Sequence, residues 1–104
     1  MNNLDIFNLP RRYISLENKL AEARGVGNCQ GYITGHNGAE ACWALALEHY
    51  ISINHFADQS GVEAKVWTKH GWKTRVYEYA LFENKELALR VAVCELAIIK
   101  IESN

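Results

Sequence analysis

Val62-Glu-Ala-Lys-Val-Trp-Thr68, then Lys69-His70-Gly71, then Trp72-Lys-Thr-Arg-Val-Tyr-Glu-Tyr79, is the stretch on which the fold turns. Apolar and polar residues alternate on both sides of a short linker ending in glycine, the pattern of two antiparallel strands joined in a hairpin. The linker sets the register, and a slip of one residue exchanges the two faces. A two-residue turn puts Val66 on one face with Arg75, and Lys65 with Val76, which mixes the pattern. A three-residue loop with Gly71 in the left-handed conformation separates it. Val62, Ala64, Val66, Thr68, Trp72, Thr74 and Val76 then point one way. Glu63, Lys65, Trp67, Lys73, Arg75, Tyr77 and Tyr79 point the other. Alternation alone favours this second register.

Working outward, Tyr50 to Phe56 is rich in strand formers and leads into the turn Asp58-Gln-Ser-Gly61, which makes the hairpin part of a meander. Before it, Asn37-Gly-Ala-Glu40 has the spacing of a capping box. The helix behind it, to His49, holds alanines at 39, 41, 44 and 46 and few polar residues, so most of its circumference should be covered. After the hairpin, Asn84 caps a helix from Lys85 to about Ile101. Its apolar positions, from Leu87 to Ile99, nearly encircle it and leave a narrow stripe of Glu86, Arg90 and Lys100. Such a helix needs cover from the sheet and a neighbour. A further helix spans Ser15 to Arg24, with glycine just past its end. Residues 1–12, with Pro10, are expected to form a loosely ordered arm. Gly25 to Gly38 reads as loop with at most a short strand at Tyr32 and Ile33. The expected class is α+β: an antiparallel meander of three to four strands with two or three helices packed on it, in a single domain over residues 1–104.

Composition narrows the function classes. The chain has 104 residues, 49% hydrophobic and 22% charged, with one proline, which is the make-up of a globular domain able to bury a core. A net charge of -1 gives no global attraction to nucleic acid or anionic lipid. The longest apolar stretch, Val91 to Ile99, is broken by Glu95 and too short to span a bilayer. Three cysteines without CxxC spacing, and a start lacking the basic and apolar regions of a signal peptide, point to a reducing cytoplasm. The apolar excess of the last helix suggests a homodimer.

Catalytic chemistry has weak candidates. Gly25-Val-Gly-Asn-Cys-Gln-Gly31 lacks the spacing and the lysine of a phosphate loop and follows a helix, so it reads as a helix cap and turn. A small ligand such as a nucleotide at this loop is the weakest of the functional alternatives. His36, His49, His55 and His70 form no metal-binding pattern. Cys42 and His49 lie two helical turns apart, about 10 Å, too far for a nucleophile and its base. Cys29 with His36 has no better support. The expectation is therefore no enzyme, no metal and no cofactor. What stands out is the hairpin face carrying Lys65, Trp67, Lys73, Arg75, Tyr77 and Tyr79. Aromatic and basic residues interleaved on one face suit a protein contact surface, and less well single-stranded nucleic acid. A first helix and arm lying over that face would hide it.

Three segments carry a resemblance. Tyr13-Ile-Ser-Leu-Glu-Asn-Lys-Leu-Ala-Glu-Ala23, then Gly38-Ala-Glu-Ala-Cys-Trp43 running into Glu48-His-Tyr-Ile-Ser-Ile53, then Leu87-Ala-Leu-Arg-Val-Ala-Val93, resemble in order the motifs of the bacteriophage NinX-like proteins. The chain departs from them at Cys42, before the tryptophan, and at Ala44, where proline is expected. The resemblance implies an α-β-α sandwich encoded by a phage beside other small host-interaction genes, with no catalytic residue to carry across. An accessory protein whose partner is a host protein or defence complex, as for anti-CRISPR inhibitors, follows by genomic analogy.

Overall fold

The computed structural model describes residues 3–26 and 31–103. Helix α1 (Asn3–Arg24) is followed by a looped segment and α2 (Gly38–His49). Three strands come next, β1 (Ser52–His55), β2 (Gly61–Thr68) and β3 (Gly71–Glu78), then one 3-10 turn (Tyr79–Leu81) and the closing helix α3 (Lys85–Glu102). The strands form an antiparallel meander in the order β1-β2-β3, so the α+β class stands.

α3 organises the molecule. It lies across β2 and β3, and α1 and α2 pack against α3 rather than against the strands. The result is a helix layer on one face of a small sheet, and the shortest dimension of the chain, 21 Å, is the thickness of two such layers. Ala88, Val91, Ala92, Val93, Cys94, Leu96 and Ala97 are all buried between these neighbours. Much of the near-encircling apolar pattern of α3 is thus covered within one chain, while Leu87, Leu89, Ile98, Ile99 and Ile101 stay partly exposed. Asn84 caps this helix as expected, accepting from the Leu87 amide at 2.9 Å.

Residues 3–12 are not a loose arm: the helix starts at Asn3 and runs through Pro10. A proline removes one amide and crowds one carbonyl, a cost of about 3 kcal/mol that the rest of a long helix can offset. The apolar positions Ile6, Leu9, Tyr13, Leu16 and Leu20 step by three and four residues across that proline, which is the helical period continuing. At its far end α1 stops as the glycine signalled. Gly25 adopts φ +74°, its amide bonds Glu22 O at 3.0 Å, and the Val26 amide bonds Ala21 O at 3.0 Å.

The segment from Gly31 to Asn37 is a series of turns, without a strand at Tyr32 and Ile33. Two charged side chains hold it. Glu17, fully buried, accepts from the amides of Ile33 (2.7 Å) and Thr34 (2.9 Å) and from the Thr34 hydroxyl (3.0 Å). Arg90 donates to Ile33 O at 2.6 Å and pairs with Glu86 at 3.1 Å. One side chain takes the amides and the other a carbonyl, which meets backbone groups of the polar loop as it is buried, although Arg90 Nε is left buried without a partner among the described residues. Asn37 precedes α2, but its side chain makes no capping bond, so the capping box with Glu40 does not form.

The hairpin takes the register that alternation disfavoured. Thr68 pairs with Gly71, Trp67 with Trp72, Val66 with Lys73, Ala64 with Arg75 and Val62 with Tyr77, so the turn contains only Lys69 and His70. Gly71 has positive φ (+106°) but is the first residue of β3, not part of the loop. The Thr68 side chain fastens the turn, accepting from the His70 amide at 3.1 Å and donating to Gly71 O at 2.9 Å. Val62, Ala64, Val66 and Thr68 face the helices, and on β3 so do Lys73, Arg75 and Tyr77. Trp72, Thr74 and Val76 face away, with Glu63, Lys65 and Trp67. The physical reason is position. β3 is an edge strand whose helix side meets the rim of the core, where long stems lie on apolar surface and keep their charges wet.

Candidate interaction surface on the hairpin

The six residues singled out from the sequence do not share one face. Lys65 and Trp67 lie on the side turned away from the helices, whereas Lys73, Arg75 and Tyr77 lie on the helix side. Tyr79, beyond β3, is buried, shares a short hydrogen bond with His55 Nδ1 and has Lys85 Nζ 5.6 Å above its ring. Burial raises its hydroxyl pKa. Tyr79 is therefore part of the support and no contact residue.

The open side is a continuous patch. Trp67 and Trp72 are each 56% exposed and face one another across the strands in an edge-to-face pair, with centroids 5.3 Å apart and planes at 72°. Lys65 Nζ sits 5.2 Å over the Trp72 ring, a cation–π contact that holds the ring from below. Val76, more than half exposed, extends the patch along β3. Lys100, in the last turn of α3, donates to Trp67 O at 2.6 Å and fixes the strand backbone beneath the indole. The expectation that α1 and the N-terminal segment cover this side is not met, since α1 lies against α3. Sequence reasoning missed Trp72 and Val76 because the register assigned them to the core.

On the helix side, Tyr77 donates its hydroxyl to Glu95 in a short hydrogen bond, and Arg75 Nε lies 3.9 Å from the same carboxylate. The Tyr77 ring stacks edge-on against Phe82, centroids 5.4 Å apart. Around them opens a cleft of about 650 Å³ between α1, α3 and the edge of β3, lined by Tyr13, Leu16, Lys19, Tyr77, Phe82, Val91 and Glu95 among others. It lies between α1, which packs chiefly on α3, and the edge of the sheet at Tyr77.

A second exposed patch lies on α2. Trp43 and Leu47, four residues apart, and Tyr50, three further on, are all more than half exposed. The expectation that α2 is covered almost all round is wrong on this side; only Gly38, Cys42, Leu45 and Ala46 are buried. Its composition, poor in charge, concealed an apolar face that nothing among the described residues covers. A cleft of about 380 Å³ lies beside it, bounded by Trp43, Ala46, Ile53, His55, Leu89 and Val93.

Among the described residues no three histidine, cysteine, aspartate or glutamate side chains gather as metal ligands. Cys42 is buried and donates to Tyr32 O at 3.1 Å. Its hydrogen bond with Cys94, together with burial, pushes the Cys94 thiol pKa far up, the reverse of what a nucleophilic thiolate needs. Cys29 and most of the Gly25–Gly31 stretch lie outside the described residues, while Gly25 itself serves the α1 cap. No described helix is long and apolar enough to cross a membrane.

Compared with known proteins, the chain matches no family model, no curated protein and no solved structure.

Proposed function

We propose that this chain is a non-catalytic binding protein that docks another protein on the open face of its hairpin. The observation that carries this reading is the Trp67–Trp72 pair: two indoles, ordered by each other and by Lys65, held half-exposed on a sheet face that no described helix covers. Large exposed aromatics cost solubility, and tryptophan is the side chain most over-represented where partners bind tightly. Pre-ordering reduces the entropy that a contact must overcome.

The charge arrangement favours a protein over a nucleic acid. The open face carries Glu63 and Glu78 beside its single lysine, while Lys73 and Arg75 point to the other side. A groove that tracks phosphates needs cations in line with its stacking rings. A phage setting, with a host protein or defence complex as the target, is the further proposal; it rests on the NinX-like resemblance of Tyr13–Ala23, Gly38–Trp43 and Leu87–Val93 and supplies the first partners to test.

The experiment compares the wild-type chain with a Trp67→Ser/Trp72→Ser double variant as affinity baits. The variant must first show the same circular dichroism and melting transition within a few degrees. Partners retained by the wild type and lost by the variant, and reproduced by direct titration with the purified partner, support the reading. Identical binding by both baits contradicts it. Tryptophan quenching by an oligonucleotide that falls steeply with salt moves the reading to nucleic acid.

A further inference from the structure

We propose that the free edge of β3 takes up an extended acidic segment of the partner protein as a fourth strand, its carboxylates opposite Lys73 and Arg75 and an apolar side chain entering the cleft beside Tyr77. The proposal rests on the hairpin being a docking surface and extends that surface around the edge. Among the described residues β3 pairs with β2 on one side only. The ladder between them continues into the bond from the Tyr79 amide to Ser60 O at 2.9 Å. Because hydrogen-bonded and non-bonded pairs alternate in an antiparallel ladder, the amides and carbonyls of Trp72, Thr74, Val76 and Glu78 point away from β2. That is a row of backbone donors and acceptors along the whole edge, the template used when a peptide adds to a sheet.

Natural edges are protected, and here the protection is slight. Arg75 turns Nη1 onto the carbonyl of Thr74 at 2.9 Å, capping the edge with its own guanidinium. The edge is otherwise flanked by the 650 Å³ cleft, wide enough for the side chains of an added strand. Alternate residues of such a strand point to the helix side, where they meet Lys73, Arg75 and Tyr77 in turn. Lys73 makes no ion pair among the described residues, Arg75 has only the long contact to Glu95, and Lys19 stands exposed at the cleft rim. The three cations stand against Glu95 and Glu83, the latter accepting from the Tyr13 hydroxyl at 3.1 Å. They leave this side of the edge net positive, so opposite charge across the new ladder is favoured. The cleft wall formed by Tyr77, Phe82, Leu16 and Val91 takes the apolar residue.

The same charges argue against a second copy of this chain. A two-fold pairing of β3 with itself keeps the sheet faces continuous. Registers centred on residues 73 to 75 then set Lys73 or Arg75 against a like charge. A register centred on Val76 avoids this but pairs only Thr74 to Glu78.

The test uses the full chain and a synthetic peptide as long as β3. The peptide carries glutamate at the positions opposite Lys73 and Arg75, leucine opposite Tyr77 and valine between. Binding is expected to slow amide exchange at Trp72, Thr74, Val76 and Glu78. Thr74→Pro deletes an outward amide without touching the β2 ladder, so binding is expected to be lost while the fold remains. Should that variant misfold, Lys73→Glu/Arg75→Glu decides. It should weaken the glutamate peptide by about tenfold or more at low salt, and bind in its place a peptide with lysine at those positions. Equal binding by folded Thr74→Pro, or no preference between the two peptides, overturns the proposal. A natural partner lost by the Trp67/Trp72 variant but kept by Thr74→Pro overturns the edge proposal alone and leaves the open-face reading standing.

Discussion

β2 and β3 have the same length and the same alternating pattern, yet they hold their helix sides in opposite ways. On β2 the inward residues Val62, Ala64, Val66 and Thr68 are fully buried. On β3 the inward residues Lys73, Arg75 and Tyr77 are half-buried, and the apolar Trp72 and Val76 face out. The difference is that α3 lies across both strands, but β2 is central while β3 is the edge and borders a cleft at the rim. A central strand spends its apolar residues on the core. An edge strand over an open cleft leaves them free for another molecule.

The largest expected effect separates the two strands directly. Val66→Asp buries a charge without a partner and should cost about 4 kcal/mol or more, enough to unfold a small domain. Val76→Asp, on the open face, should cost about 1 kcal/mol or less, through strand preference alone. Urea denaturation of both variants checks this, and equal losses would mean that β3 faces the core as β2 does. Gly71→Ala comes next. A Cβ there meets nothing within 4 Å, but φ +106° is strained for any L side chain, so about 1–2 kcal/mol is expected from backbone strain alone. Were Gly71 in an ordinary extended conformation, the substitution would be neutral. A double-mutant cycle on Trp67 and Trp72 should return a coupling of about 0.5–1.5 kcal/mol, and zero coupling would place the rings apart.

The smallest effect lies outside the hairpin. Burial lowers the pKa of His49 below its ordinary 6.5, outweighing the opposing pull of Glu48; Arg24 and Lys100 nearby also lower it. The folded chain therefore resists a proton that the unfolded chain accepts. Stability is full above about pH 6.5 and declines as pH falls through that value towards the lower pKa of the folded state. His49→Gln should flatten this acid-side decline in melting temperature, while substitutions on the open hairpin face leave it unchanged.

How much was legible follows the same division. The helix α3, its Asn84 cap, the glycine end of α1 and the meander were readable because local chemistry and period agree there. The register was not, because alternation treats both strands of a hairpin alike, while burial depends on what lies above each. Pro10 looked like a helix boundary, yet the three-and-four spacing across it was already present. Glu17 shares its helix face with Tyr13, Leu20 and Ala21, and that placement of a carboxylate among inward residues was the signal for the loop it holds. The open stripe on α2 had Trp43, Leu47 and Tyr50 in helical spacing, but nothing local told covered from uncovered.

The proposed surface exists only in the two-residue turn register, and cross-strand nuclear Overhauser contacts read that register directly. Close contacts between the α-protons of Trp67 and Trp72, and of Lys65 and Thr74, are the result this account predicts. Contacts of Trp67 with Lys73 in their place would return the tryptophans to opposite faces and contradict it.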